Sequence, residues 1–121
     1  MIQKKFRLKN EEIKLVLNKG KRIPSPYFFL YYLLNNLSYS RLGVIISRKI
    51  SNLAVERNYM KRIIKLVFRN FFLKEKENKQ NFKKIKGYDI LILGKIRFRK
   101  KDFLKIEKEL RDLFEKVTTE C

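Results

Sequence analysis

Residues 42–72 read LGVIISRKISNLAVERNYMKRIIKLVFRNFF, and they place a short apolar run, a tight connection and a basic amphipathic segment in direct succession. The run at 42–46 is apolar and rich in β-branched residues, which predicts a strand that is covered on both faces. From residue 55 to about residue 76 the pattern predicts a helix, because apolar residues recur at intervals of three and four. We expect this apolar stripe to pack against the strand; it comprises Met60, Ile63, Ile64, Val67, Phe68 and Phe71.

The same helix carries a cationic arc beside its apolar stripe. Lysines and arginines dominate residues 48–69, where Glu56 is the single acid. A solvated helix face commonly has this composition, so the charge by itself does not establish a binding function. Asn58 adds an amide that can both donate and accept hydrogen bonds to sugar, phosphate or base edge. The arc comprises Arg57, Asn58, Lys61, Arg62, Lys65 and Arg69.

The composition indicates one folded domain with a strongly basic surface. Of the 121 residues, 45% are hydrophobic and 13% aromatic, which is too apolar for a disordered polycation. The 31 lysines and arginines against 12 acids give a net charge of +19, and binding to a polyanion relieves that repulsion. Nucleic acid is therefore the leading partner. An anionic membrane surface is the alternative, but no apolar run approaches the roughly 20 residues of a span and no apolar signal core is present, so we expect a cytoplasmic protein.

The chain lacks the side chains that most often perform catalysis or bind metals. It contains no histidine, and its one cysteine is Cys121, so no disulfide or thiolate cluster forms within it. Acids such as Glu11, Glu12, Glu107 and Glu109 have the spacing of surface helix charges rather than that of a two-metal site. We therefore predict no catalytic residue and no metal-binding residue in this protein.

The residues before the central stretch predict a helix, an extended connection and a strand. Residues 9–19 suit a short helix with Asn10 as its N-cap and Gly20 as its stop. Two prolines within residues 21–26 favour an extended connection. The aromatic run at 27–34 predicts a strand, and the turn-forming residues after it predict an antiparallel hairpin with the strand at 42–46.

The residues after the central stretch predict a loop, a strand and a final helix. Residues 74–86 are polar and lose their periodicity, 88–93 form a third buried run, and 101–117 show helical spacing. The order helix, strand, strand, helix, strand, helix predicts an α+β (split α/β) fold, a small mixed sheet packed by three helices in a single domain, 1–121. The predicted core face of the last helix comprises Phe103, Leu104, Ile106, Leu110, Leu113, Phe114 and Val117.

Two motifs in a fixed order carry a resemblance to a known family. S-R-K-I-x-N at residues 47–52 precedes R-N-x-x-K-R at residues 57–62, directly after the buried strand. In this order the chain resembles the protein subunit of bacterial ribonuclease P, over nearly its whole length. The resemblance implies a left-handed crossover from the central strand through the basic helix, against the usual right-handed rule. It also implies an RNA-binding subunit that helps a catalytic RNA to remove the 5′ leader of precursor tRNA, with Mg²⁺ held mainly by RNA.

The resemblance also implies which residues contact RNA. The leader would lie in a trough between the first helix and the sheet, lined by Ile13, Leu17, Phe29, Tyr31, Ile45 and Ser47. For Phe29 and Tyr31, an ordinary place in the core is the alternative. Further RNA-binding residues would be Arg48, Lys49, Asn52, Arg57, Asn58, Lys61, Arg62, Lys65, Arg69 and Lys95.

The sequence departs from the family pattern at a few of these positions. Ser51 stands where a glycine is usual, and one extra residue separates Asn52 from the R-N-x-x-K-R motif, which predicts a reshaped turn. Ile13 and Leu17 are aliphatic where aromatics are common, so apolar contact replaces base stacking from that wall. Lys95 replaces a common arginine and keeps the charge without the bidentate fork.

Three functions are compatible with the basic surface. The motif order favours a ribonuclease P subunit whose partners are the catalytic RNA and precursor tRNA, with no membrane and no small-molecule substrate. Charge alone would also suit another RNA-binding or ribosome-associated protein. A membrane-surface protein is disfavoured because the basic helix carries a core stripe that continues into strands on both sides.

Overall fold

In the computed structural model of the protein, residues 4–73 and 87–119 are described. They form an α+β fold, as predicted, in which helices pack on a four-stranded mixed sheet. Short 3₁₀ turns occupy Lys4–Phe6 and Lys100–Asp102, and a π-helical turn, Arg69–Leu73, continues the second helix. In chain order the elements are α1 (Asn10–Lys19), β1 (Lys21–Pro24), β2 (Phe28–Leu34), β3 (Arg41–Ile45), α2 (Ala54–Phe68), β4 (Tyr88–Gly94) and α3 (Phe103–Thr119).

The strands lie in the order β1, β2, β4, β3, so the predicted hairpin between β2 and β3 is wrong. β4 lies between them, antiparallel to β2 along all seven of its residues and parallel to β3. The reason is burial, because Tyr88 to Ile92 are all buried and such a run needs covered faces and a neighbour on each side. The parallel pairing of β3 with β4 across α2 forms a β-α-β unit. Its left-handedness stays a prediction.

The main core lies between one face of the sheet and the helices α2 and α3. On β2, Phe28, Leu30 and Tyr32 face it, and each is less than 5% exposed. The predicted stripe of α2 is confirmed, with five residues buried and Phe71 packed against the cluster. On α3 the prediction is wrong for Leu104, which is 76% exposed because its neighbours on the helix surface, Glu107 and Lys108, lie off the buried stripe.

The opposite face of the sheet is covered by α1 over part of its width. Val16 of α1 and Leu91 of β4 are fully buried there, outside the main core cluster. Gly43 permits the close approach, since a Cβ at this position would lie 3.2 Å from Leu91 Cδ1 and 3.4 Å from Ile13 Cγ1. A larger residue would push the helix away from the sheet.

A charged network fixes α1 to this face. Arg41 of β3 donates from Nε and Nη2 to the two carboxylate oxygens of Asp89 on β4, at 2.8 and 2.7 Å. Its Nη1 donates to Glu12 of α1. Asn35 Nδ2 also donates to Asp89, at 2.9 Å, so a carboxylate that is only 3% exposed is well satisfied. The hydrogen bond to Asp89 raises the pKa of Arg41 above its ordinary value.

Several predicted boundaries differ from the structure. The N-cap of α1 is Lys9, not Asn10, and the Lys9 backbone N–H donates to the Glu12 carboxylate at 2.7 Å. The predicted extended connection contains β1, an edge strand that ends at Pro24, where a missing N–H costs no ladder bond. Helix α3 begins at Phe103 rather than at residue 101. The predicted loop at 74–86 and the predicted helix end at 76 lie outside the described residues.

Candidate nucleic-acid interface

A row of apolar side chains crosses the α1 face of the sheet beyond the cover of the helix. Phe29, Leu93 and Ile45 are register partners on β2, β4 and β3, so their side chains lie side by side. Phe29 and Leu93 are half-buried and Ile45 is 40% exposed. Because α1 packs over the next rows, at Leu91 and Arg41, this row remains open and forms the floor of a trough.

The other predicted trough residues border this row. Ile13 is half-buried above Gly43, and Leu17, on the same helix, is 40% exposed. Tyr31 lies one row behind Phe29 on the same face and is half-buried. Ser47 is exposed just after β3. Phe29 and Tyr31 therefore both face away from the main core, on the side that the trough interpretation requires.

Two cations flank the Phe29 ring at the β1 end of the trough. Lys95 Nζ lies 4.5 Å from the ring centroid and donates to the Ser25 carbonyl at 3.0 Å. Arg22 of β1 places its guanidinium carbon 5.2 Å from the same centroid. Cation–π contact of this kind holds both positive groups at the edge of an apolar surface. The sequence predicted Lys95 but missed Arg22 and Leu93, and Arg22 could be found only by recognising β1 as a strand.

The turn at residues 47–52 presents polar and cationic groups between β3 and α2. The Ser47 carbonyl accepts from Ile50 N–H at 3.1 Å, which tightens the turn and leaves Arg48, Lys49 and Asn52 exposed. Ser51, in contrast, is 5% exposed, and its hydroxyl donates to Glu56 at 2.5 Å. Ser51 thus connects this turn to the first turn of α2.

Arg57 and Glu56 lie inside this connection. Arg57 Nη1 donates to the Ser51 carbonyl at 2.9 Å, so this half-buried guanidinium stabilises the turn as well as adding charge. Glu56 also accepts from Arg97 at 3.4 Å. The hydrogen bond from Ser51, followed by the nearby positive charges of Arg97 and Arg99, lowers the pKa of Glu56. The single acid of the basic region is therefore engaged within the protein.

The remaining predicted cations lie together along the outer side of α2. They border a shallow groove of about 470 Å³ whose polar edge is formed by residues three, four or seven positions apart. Arg62 and Arg69 are exposed, whereas Lys61 and Lys65 are half-buried, as long side chains are when their aliphatic stems lie along the protein surface. With Ile63 and Leu66, the groove is lined by Asn58, Lys61, Arg62, Lys65 and Arg69.

The carboxylates of Glu12, Asp89 and Glu56 are bound by other side chains of the protein and do not form a metal site. Glu12 and Asp89 are bound by Arg41, and Glu56 by Ser51 and Arg97. Within residues 4–73 and 87–119, no three acids or cysteines lie close enough together to hold a metal ion. In the same part of the chain, no helix combines the length and apolar character needed to cross a membrane.

Comparison with known proteins identifies the family. A family model described as Ribonuclease P matches residues 2–118. The chain belongs to the ribonuclease P protein family. The ribonuclease P protein component of Clostridium botulinum is 34% identical over 109 residues, which cover 90% of each protein. That of Clostridioides difficile is 31% identical over 110 residues, covering 90% of this chain and 88% of the relative.

Solved structures of ribonuclease P proteins share the fold. The protein from Thermotoga maritima has a TM-score of 0.65 at 29% identity, covering 88% of this chain and 93% of that one. The protein from Staphylococcus aureus has a TM-score of 0.69 at 27% identity, covering 93% of this chain and 94% of that one. The chain is therefore an RNA-binding ribonuclease P protein component, and it acts in tRNA processing as part of a ribonucleoprotein.

Proposed function

We propose that the trough binds the single-stranded 5′ leader of precursor tRNA. The observation that carries this proposal is the open row of Phe29, Leu93 and Ile45, with Lys95 and Arg22 at one end. Single-stranded RNA is bound where apolar or aromatic side chains contact bases and flanking cations contact phosphates. Duplex RNA is too wide to place its bases on such a floor, whereas an unpaired leader can lay them across it.

The turn at 47–52 and the outer side of α2 would bind the catalytic RNA of ribonuclease P and the body of precursor tRNA. Arg48 and Lys49 are exposed on the turn, and the groove along α2 carries cations over about two helical turns. Neutralising phosphates with these groups releases counterions and provides affinity without sequence preference. Asn58 can add a directional hydrogen bond to a sugar or a base.

Phosphodiester cleavage would be performed by the catalytic RNA in the cytoplasm, with Mg²⁺ held mainly by that RNA. Among the described residues, Arg41 binds both Glu12 and Asp89, and Ser51 and Arg97 bind Glu56, and no three acids lie close enough to hold a metal ion. The protein would then bind the leader and the catalytic RNA and orient them. A larger fraction of the precursor tRNA would thereby be bound in the orientation that allows cleavage. Mg²⁺ binding by the assembled RNA is favoured when protein cations hold the two RNA molecules together.

The test is cleavage of precursor tRNA by the cognate catalytic RNA at low Mg²⁺, with and without this protein. We expect strong stimulation by the wild-type protein. Ile45→Asp, which puts a negative charge on the trough floor, should abolish most of the preference for precursor over mature tRNA. Leu34→Asp is the matched control, because Leu34 is similarly exposed (44% against 40%) but lies at the other end of the sheet.

The outcomes separate the possible functions. No stimulation by the wild-type protein contradicts a role in ribonuclease P cleavage. If the wild-type protein stimulates cleavage but Ile45→Asp and Leu34→Asp change the preference for precursor tRNA equally, the protein still acts in cleavage. The leader then does not bind in the trough. Thermal melts of both variants, measured beside the affinities, show whether either loss reflects unfolding.

A further inference from the structure

The turn between β1 and β2, residues 25–27, binds the cation at one end of the trough, Lys95. This lysine directly follows β4, and its backbone N–H donates to the Tyr27 carbonyl at 2.8 Å. Its Nζ donates to the Ser25 carbonyl at 3.0 Å and lies 4.5 Å from the centroid of the Phe29 ring. The position of this ammonium group on the trough therefore depends on where the turn places the two carbonyls.

A carboxylate of α3, the helix on the other face of the sheet, binds the same turn. Glu109 Oε2 accepts from the Ser25 hydroxyl at 2.7 Å and from the Tyr27 backbone N–H at 2.8 Å. The neighbours of Glu109 on the helix, Ile106 and Leu110, are 0% exposed and belong to the main core. One oxygen of a well-anchored helix thus joins two positions of the turn.

The turn also has an anchor in β2 that does not involve α3. The Ser25 backbone N–H donates to the Phe28 carbonyl at 2.9 Å. Removing the Glu109 carboxylate should consequently loosen the turn without unfolding the domain. The Lys95 side chain would then be ordered only when RNA binds, and ordering a long side chain at an interface lowers affinity.

We propose that Glu109 is a positioning residue for the leader. By fixing residues 25–27 it holds the Lys95 ammonium group at the trough before RNA binds, and it does not itself contact RNA. This inference rests on the proposed function, because it requires the leader to lie in the trough. Its effect is opposite in sign to that of simple charge. Removing an acid from a chain of net charge +19 increases the general attraction for RNA, whereas removing Glu109 should weaken the binding of precursor tRNA.

The first test measures the affinities of precursor and mature tRNA for the full-length protein assembled on the cognate catalytic RNA. Glu109→Ala should lower the preference for precursor tRNA by about 2- to 10-fold, the effect of leaving one long side chain to be ordered on binding. Glu109→Gln should restore most of the preference, because both hydrogen bonds go to a single oxygen that an amide oxygen can replace. Glu115→Ala is the matched control, since Glu115 is an exposed acid of α3 that does not line the groove between α3 and the turn.

The second test determines whether Glu109 acts through Lys95. Lys95→Ala removes the ammonium group but keeps the backbone N–H that donates to Tyr27. It should lower the preference for precursor tRNA and reduce the slope of log affinity against log salt by about 0.7, for one single-strand phosphate contact. Adding Glu109→Ala to Lys95→Ala should lower the preference no further, because the two residues act as one unit.

Thermal melts of all variants accompany the affinities, and the outcomes distinguish this inference from the proposed function. Equal losses for precursor and mature tRNA in Glu109→Ala, a further loss in the double variant, or a Glu109→Gln variant as weak as Glu109→Ala would each overturn the positioning role. If Lys95→Ala has no effect while Ile45→Asp abolishes the preference, the inference is wrong and the leader still binds in the trough. If neither Lys95→Ala nor Ile45→Asp changes the preference, both proposals are wrong.

Discussion

Arg41→Ala should destabilise the protein strongly, because it breaks the network that holds α1 on the sheet. The side chains of Arg41 and Asp89 are 18% and 5% exposed. Removing one partner of a buried ion pair costs roughly 3–5 kcal/mol, since the other charge is left in place. Asn35 still donates to Asp89 at 2.9 Å, so we take the lower end, about 3 kcal/mol. This loss is a large part of the free energy of unfolding of a typical domain, which is ~5–15 kcal/mol.

The assay is thermal and urea unfolding of Arg41→Ala beside the wild type and Glu12→Gln. For a chain of this size, about 3 kcal/mol lowers Tm by roughly 12 °C. Glu12→Gln should cost under about 1 kcal/mol, because Glu12 is the more exposed partner and an amide can still accept from Arg41. Hydrogen exchange should show that Arg41→Ala exposes the α1 amides before those of α2. A Tm within 2 °C of wild type, or equal losses for the two variants, would refute this account of the network.

Three further predictions concern α2 and β2. Ile64→Asp places a carboxylate where exposure is 0% and should cost about 4 kcal/mol or more, whereas Leu66→Asp, at a site 41% exposed on the same helix, should melt near the wild type. Replacing Lys61 and Lys65 with alanine should flatten the salt dependence of catalytic-RNA binding by about 1.4–1.8 without changing Tm, and an unchanged slope contradicts phosphate contact. Tyr31→Ala should weaken precursor tRNA binding by about 1–3 kcal/mol and spare mature tRNA. If a stably folded Tyr31→Ala variant loses equal affinity for precursor and mature tRNA, the leader does not bind at this strand.

The local patterns predicted the elements better than their pairing. The stripe of α2 is a property of one continuous segment, so its periodicity identified the buried residues correctly. The pairing of β2 with β4 joins residues about 60 positions apart, and no local pattern reports it. β1 was missed for a related reason, since a four-residue segment ending in Pro24 resembles a connection until its register with β2 is known.

The candidate site was only partly accessible from the sequence. In the run at 27–34 both alternating positions are apolar, so periodicity does not tell which of Phe28 and Phe29 faces the core. In the structure Phe28 faces the main core. Phe29 faces the opposite side of the sheet, which α1 covers only in part. For Arg57 the sequence predicted the charge correctly but not the structural role. The basic arc predicted a free cation, but a hydrogen bond to the Ser51 carbonyl also makes this side chain part of the turn.

The placement of acids explains how a chain of net charge +19 folds and still keeps its cations free for RNA. Glu12 and Asp89 join α1 to the sheet through Arg41, and Glu109 of α3 accepts from Ser25 and from the Tyr27 backbone at 2.7 and 2.8 Å. These carboxylates connect elements that are distant in sequence, and none of the three lines the groove along α2. Among the residues that the structure describes, no acid lines the groove along α2, so the lysines and arginines there repel one another without an acidic partner in the groove. Phosphates can relieve this repulsion, so RNA binding should stabilise the fold most at low salt, where that repulsion is least screened.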